Sequence, residues 1–347
     1  MSELRYDPIR CRWTIMATER RFRPHEFVRP HPEPPGDVGA CPFEYGNEPT
    51  TPPAILTLPT PDPPGATPQW QVRVVPNKFP ALRVEGELYR EGVGLFDRVN
   101  GVGAHEVIIE TPHHDRTWAD MSAEEIALVL QAWRERLLDL QRDLRIRYVF
   151  LFKNHGRDAG ASLFHPHSQL IATPIIPTVL VSELNAARKH WATKERCIFC
   201  DLIHQEQSLA ERIALETGKF VLLEPFASSF PFETWIFPRN HEHDFGHCSN
   251  ETLLDLAHVL LDFLRRIRSL LNDPPFNLVL HTAPSPHPRP GHVDYWKTIQ
   301  LDYHWHLEFV PRITHIAGFE WGTGLAINPT PPEEAARFLR EVAQAEH

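Results

Sequence analysis

Three long stretches of the chain place apolar residues at helical spacing. Ser122 to Arg142 opens with Ser122-Ala123-Glu124-Glu125, a capping signal, and continues with apolar residues three and four apart. Asn250 to Leu271 carries Leu253, Leu256, Val259, Leu260 and Phe263 on one face, with Asn250 read as its N-cap. Pro332 to Ala345 has acidic residues in its first turn, where the helix dipole favours them. Between the helices lie runs rich in Val, Ile and Phe, bounded by Pro, Gly or Asn, that read as strands. They are Gln71 to Val75, Glu106 to Glu110, Tyr148 to Lys153, Phe220 to Leu223, Thr234 to Phe237, Phe276 to His281 and His304 to Val310. Strands, one long helix, then more strands predict an α+β fold with antiparallel sheets and flanking helices.

The order of features repeats. Cys41 to Glu44, a strand ending at His114, a long helix, and His165-x-His167-x-Gln169 form one set. Cys197 to Cys200, a strand ending at His241, a long helix, and His304-x-His306-x-Glu308 form the other. The simplest account is two copies of one fold, residues 1–185 and 186–347.

Length agrees, since 347 residues suit two units of about 150 each. Composition changes the picture in three places. A net charge of −10 without a basic block argues against nucleic acid, whose phosphate backbone needs clustered Lys and Arg. No run of 18 apolar residues is present and the N-terminus lacks a signal-peptide core, so a cytoplasmic enzyme without a membrane span is expected. Fourteen prolines between Arg23 and Trp70 predict an extended, loop-rich segment there.

Five cysteines in such a chain argue against a disulfide framework. Cys197-Ile198-Phe199-Cys200 lacks the βαβ surroundings of a redox pair. With His241 and His304 it completes a two-sulfur, two-nitrogen set suited to structural zinc, the alternative being two cysteines buried as small hydrophobes. The first copy offers Cys41, Glu44, His114 and His165, where a carboxylate replaces the second thiolate and should hold zinc more loosely. Pro166 disfavours helix before it, so His165 to Gln169 should be extended, with His165, His167 and Gln169 in one row. A neutral imidazole at His167 could displace a sugar phosphate from a nucleotide α-phosphate. Gln169 could donate to the oxygen where charge builds up.

These residues resemble the galactose-1-phosphate uridylyltransferase family of the histidine-triad superfamily. The pattern is carried by Asn154, Gly160-Ala161-Ser162 and His165-Pro166-His167-Ser168-Gln169. It is also carried by Val74 to Leu82, Thr18-Glu19-Arg20 with Arg23-Pro24, Asp302 to His306, Gly318-Phe319-Glu320 and Gly322-Thr323-Gly324. The resemblance implies a tandem pair of histidine-triad folds and ping-pong transfer of UMP from UDP-glucose to a hexose 1-phosphate, galactose 1-phosphate, through uridylyl-His167. An ADP-glucose phosphorylase-like adenylyltransferase is the alternative. It further implies that Gln169 supports the phosphoryl group and that Asn77, Asn154 and Ser162 contact the nucleotide. Arg20 and Arg23 would lie near the phosphates, Glu320 would meet the hexose, and the enzyme would be a homodimer. Some members bind a second metal through a Glu and three histidines, which Glu183, His281, His304 and His306 match. Cys197, Cys200, His241 and His304 are preferred here, and both sets draw on His304. Because His306 is followed by Leu307-Glu308, the second half is expected to be structural.

Overall fold

The computed structural model describes residues 2–20, 41–59, 70–288 and 296–345. In chain order its strands are β1 (Glu3–Asp7), β2 (Arg12–Met16), β3 (Leu56–Pro59), β4 (Trp70–Pro76), β5 (Arg90–Val93), β6 (Phe96–Val99), β7 (Ala104–Ile109), β8 (Tyr148–His155), β9 (His167–Thr173), β10 (Ile213–Glu216), β11 (Phe220–Leu223), β12 (Thr234–Pro238), β13 (Phe276–His281), β14 (His306–Pro311) and β15 (Ala326–Asn328). Its helices are α1 (Ala123–Leu140), α2 (Thr178–Lys194), α3 (Ile198–Leu209), α4 (Asn250–Leu271), α5 (Ile299–Asp302), α6 (Gly318–Thr323) and α7 (Pro332–Ala345).

Ten strands form one antiparallel sheet, ordered β10-β11-β12-β14-β13-β8-β9-β7-β4-β3. Each half of the chain supplies five neighbouring strands, and the halves join where β8 pairs with β13. This is an α+β fold. Register carries the repeat across the join. Val107 lies opposite Gln169, Gln169 opposite Phe152, Phe152 opposite Val279, Val279 opposite Glu308, and Glu308 opposite Trp235. Gln169 and Glu308 therefore sit at mirrored places on one line across the sheet, with side chains on the same face.

The other face carries the main core. Val72, Val74, Ile108, Leu151 and Leu170 of the first half and Leu278, Leu280, Leu307 and Phe309 of the second are buried with Ile126, Leu130, Trp133 and Leu137 of α1 and Leu256, Leu260 and Phe263 of α4. Each such side chain contributes about 1.5–3 kcal/mol of burial, so the sheet is pinned to this layer and register is fixed. Alternation then commits His167 and Gln169 to the opposite face, while Ser168 points inward and accepts the indole N–H of Trp133 at 2.8 Å.

The three expected helices are present. Ser122 and Glu125 close a reciprocal capping box on α1. On α4 the expectation needs correcting by one residue: the cap is Ser249, extended at φ −73°, whose hydroxyl accepts Thr252 N–H at 3.1 Å. Asn250 is the first helical residue. Helices α2 and α3 were not expected, and Thr178-Val179-Leu180-Val181 at the start of α2 favours strand by local propensity. Leu184, Ala187, Phe199 and Ile203 bury these helices against Val221, Leu223 and Phe237 on the site face of the second half. The division expected after residue 185 falls within α2. A second, three-stranded sheet ordered β1-β2-β15 ties the N-terminal hairpin to the C-terminal half. Among the described residues, the proline-rich stretch is loop apart from short β3 and a turn at Glu48–Thr50. No described helix is long and apolar enough to cross a membrane.

Candidate active site

Strand β9 begins at His167, so His167 and Gln169 share one face of it, with His165 just before the strand. The Pro166 carbonyl accepts Glu110 N–H at 3.2 Å, holding the approach segment against the β7 side. His165 Nε2 donates to the Thr111 carbonyl at 2.7 Å. A carbonyl can only accept, so His165 presents the lone pair of Nδ1. His167 Nδ1 donates to the His165 carbonyl at 2.8 Å, which leaves the lone pair on Nε2. Burial, opposed by the bond to His165, pulls the His167 pKa down to about 4, so the ring is neutral at pH 7. Phe43 packs edge-on against it at 5.5 Å. A neutral imidazole with one nitrogen fixed and the other bare is what attack on phosphorus requires.

Gln169 Oε1 lies 2.9 Å from His105 Nε2. His105 was not singled out in the sequence. Its signal lies in the pairing of β7 with β9, which places it two residues before Val107, the cross-strand partner of Gln169. Asn77 lies beside it, with Nδ2 at 3.1 Å from the same nitrogen and Oδ1 accepting Phe79 N–H at 2.8 Å. Asn154 on β8 accepts from Asn277 Nδ2 at 2.7 Å. Ser162 is exposed in the loop entering β9. Glu320 accepts the Ala317 N–H at 3.1 Å and so caps α6; no bond among the described residues links it to His167. Arg20 ends a single 3-10 turn, Thr18–Arg20, and Arg23 lies outside the described residues.

Two clusters beside these rows have metal-ligand chemistry. Cys41, His114 and His165 bring ligand atoms within 4.8 Å of one another. Glu44 Oε2 stands 3.5 Å from His114 Nδ1 and 3.6 Å from His165 Nδ1. These three atoms are buried without hydrogen-bond partners, a costly arrangement that a cation would relieve. The second cluster is Cys197, Cys200, His241 and His304, again within 4.8 Å. His241 and His304 donate Nε2–H to the carbonyls of Gln300 and Pro238 at 3.0 and 2.9 Å, turning both Nδ1 atoms toward Cys200. Hydrogen bonding from Cys197 holds the Cys200 thiol well below its usual range. Two thiols and two oriented imidazoles fit zinc.

The second half's own row differs. His306 Nδ1 bonds the His304 carbonyl at 3.1 Å, repeating His167 on His165. His306 is fully buried, however, with Phe237, Phe199 and Trp235 ring centroids 5.0, 5.4 and 5.7 Å away. Its neighbours Glu183, His281 and Glu308 form a third cluster, so the expectation that two metal sets compete for His304 is corrected. His304 faces the cysteines, and Glu308 takes the fourth place. Arg10 enters this cluster from the β1–β2 turn, where Asp7 accepts the Ile9 and Arg10 N–H groups and Cys11 adopts φ 54°. Its guanidinium pairs with Glu308, with Glu233 at 2.6 Å and with Glu183 at 3.8 Å, over the Trp235 ring at 4.5 Å.

A family model described as galactose-1-phosphate uridyl transferase, N-terminal domain, matches residues 66–177. The chain is 34% identical over 345 residues to ADP-glucose phosphorylase of Arabidopsis thaliana, covering 98% of this chain and 93% of that protein. It is 29% identical to galactose-1-phosphate uridylyltransferase of Thermotoga maritima, over 98% of each. The crystal structure of an Arabidopsis thaliana ADP-glucose phosphorylase with bound ADP-glucose is similar at a TM-score of 0.80 and 31% identity, over 98% of both chains. A uridylyltransferase structure is similar at 0.73 and 26% identity, over 99% of both.

Proposed function

The chain belongs to the galactose-1-phosphate uridylyltransferase family of nucleotidyltransferases, and from that premise we propose that it moves a nucleotidyl group through a covalent bond to His167 Nε2. The observation that carries this reading is the bond from His167 Nδ1 to the His165 carbonyl, which bares Nε2 on a neutral ring. The Nε2 lone pair forms a bond to the α-phosphorus of a nucleoside diphosphate glucose. The bond from that phosphorus to the bridging oxygen breaks, and the electron pair leaves with glucose 1-phosphate. An oxygen of the acceptor phosphate then attacks the same phosphorus and releases the imidazole. Gln169 Nε2 donates to a non-bridging oxygen during both displacements. Asn77, Asn154 and Ser162 belong to the nucleotide side, and Arg20 and Arg23 to the phosphates. The two clusters of cysteine, histidine and Glu44 would hold zinc, which when bound fixes the segments carrying His165 and His304. On this reading the chain is a tandem duplication whose first half carries the chemistry. Glu320 would meet the hexose, and the enzyme would act as a homodimer.

UDP-glucose as donor with galactose 1-phosphate as acceptor is the reading the motif set supports. ADP-glucose with phosphate as acceptor is favoured by one further observation, the 34% identity with the plant phosphorylase across 98% of this chain. The test is to incubate the protein with either labelled donor, without acceptor, and measure acid-labile label on His167. Label from UDP-glucose alone supports the first reading, and label from ADP-glucose alone supports the second. Label from neither, with a silent galactose 1-phosphate exchange assay, sinks the covalent mechanism.

A further inference from the structure

We propose that His105 is the positioning residue that aims Gln169, holding its carboxamide with the amino group outward for the phosphoryl oxygens. The inference rests on the nucleotidyl-transfer reading above. It starts from one donor that cannot reorient, the main-chain N–H of Ala81, which lies 3.1 Å from His105 Nδ1. That bond makes Nδ1 the acceptor, so the neutral ring carries its proton on Nε2. Nε2–H is then the donor to Gln169 Oε1 at 2.9 Å. With its oxygen spent on His105, Gln169 keeps Nε2 as its free donor, and among the described residues no acceptor bonds it.

The opposite tautomer would undo this. Nδ1–H would face the Ala81 N–H, Asn77 Nδ2 at 3.1 Å would become the donor to Nε2, and Gln169 would have to flip its amide. An outward carboxamide oxygen would repel a phosphoryl oxygen instead of donating to it. Asn77 Oδ1 is committed to Phe79 N–H at 2.8 Å, so in the proposed tautomer Asn77 Nδ2 meets His105 Nε2–H donor to donor at 3.1 Å, one repulsive contact set against the two bonds made with Ala81 and Gln169. The same register position in the second half supports the assignment. Two residues before Trp235, the partner of Glu308, stands Glu233, which grips Arg10, which in turn grips Glu308. Each half thus uses the residue two places before that partner, His105 within β7 and Glu233 just ahead of β12, to fix the third residue of its row, through a neutral donor in one and a charged pair in the other.

The test uses the full chain. His105→Asn keeps an acceptor near Nδ1 for Ala81 but loses the Nε2 donor, and His105→Gln does the reverse. His105→Phe loses both. A donor of the oxyanion-hole type is worth about a hundredfold or more, so His105→Asn and His105→Phe should slow His167 labelling by about tenfold or more, while His105→Gln stays within about threefold of wild type. The double variant His105→Asn/Gln169→Ala should be no slower than Gln169→Ala beyond about twofold, since the two act as one unit. Nitrogen-15 NMR of the resting protein, without substrate, should find His105 protonated at Nε2. Protonation at Nδ1, His105→Gln as slow as His105→Phe, or losses that multiply in the double variant would each overturn the proposal. If His105→Phe fails to fold, His105→Gln and the tautomer still decide it. If the wild type takes no label from either donor, the function reading fails while the tautomer measurement still tests the positioning role.

Discussion

The His167 row and the His306 row share a sheet, a face and a backbone device, in which each imidazole donates Nδ1–H to the carbonyl two residues before it. They part at the next alternate position. Gln169 is neutral, and an uncharged imidazole suffices to hold it. Glu308 is a buried carboxylate, which costs several kcal/mol unless a cation meets it. Arg10 supplies that cation from the other end of the chain, and α2 and α3 close over the row. One amide-to-carboxylate difference thus goes with the change from a row that keeps a half-buried amide donor at its end to a sealed electrostatic core. The copied backbone geometry alone does not make a site; what covers the row and what charge it carries decide.

The largest effect should come from removing each imidazole in turn. His167→Ala is expected to abolish labelling, a loss of more than about a thousandfold. His306→Ala should keep the labelling rate within about tenfold at 25 °C, because the lost ring touches aromatic packing, carboxylates and the His304 carbonyl, none of them in the first row. Equal losses in a quantitative labelling assay would break the contrast between the halves.

Metal content separates the halves next. Cys197→Ser should lose about one zinc per chain by elemental analysis, because a hydroxyl is a poor replacement for thiolate in a tetrahedral set. Glu44→Ala should leave that zinc in place. Retention of full zinc in Cys197→Ser would reassign the metal.

Arg10→Met tests the sealed row directly. It leaves Glu233 and Glu308 without their guanidinium, and removing one partner of a buried pair costs about 3–5 kcal/mol. Denaturant unfolding should show that loss, with His167 labelling per folded molecule unchanged. A stable variant, or one with slow labelling, would mean that the N-terminal hairpin serves the first row as well.

The sequence disclosed what local rules carry. Periodicity gave α1, α4 and α7, and Pro166 gave the extended approach to His167. The duplicated spacing gave the Cys197, Cys200, His241 and His304 grouping. It was silent where tertiary contacts decide. Arg10 lies 298 residues from Glu308 in the chain, and nothing local to Pro8-Ile9-Arg10 marks it for a buried cluster. Helix α2 overrides a strand-like start by burying Leu180 and Leu184. His105 was readable only once the β7–β9 register was known, since a one-residue slip would place it on the other face. The sharing of His304 was misread because sequence spacing does not say which way an imidazole turns, and the carbonyl of Pro238 settles that.

The smallest effect concerns protonation, and it tests whether the reactive row is the buried first one. Burial lowers the His167 pKa from its ordinary value to about 4. The neutral ring attacks, so labelling should persist as pH falls and fail only through about 4. At pH 5 an ordinary imidazole is roughly 3% neutral and one held at about 4 roughly 90%, a difference of roughly thirtyfold in competent enzyme. The sign for stability runs the same way. Below the ordinary value of about 6.5 the unfolded chain takes the proton more readily, so this stabilising contribution is complete above that pH and is lost as pH falls toward 4. Short-pulse labelling between pH 3.5 and 8 measures the limb before unfolding intervenes. The His306→Ala variant should show it at the same pH. A limb near 6.5, or one that moves in His306→Ala, would mean that the attacking imidazole is not the buried ring of the first row.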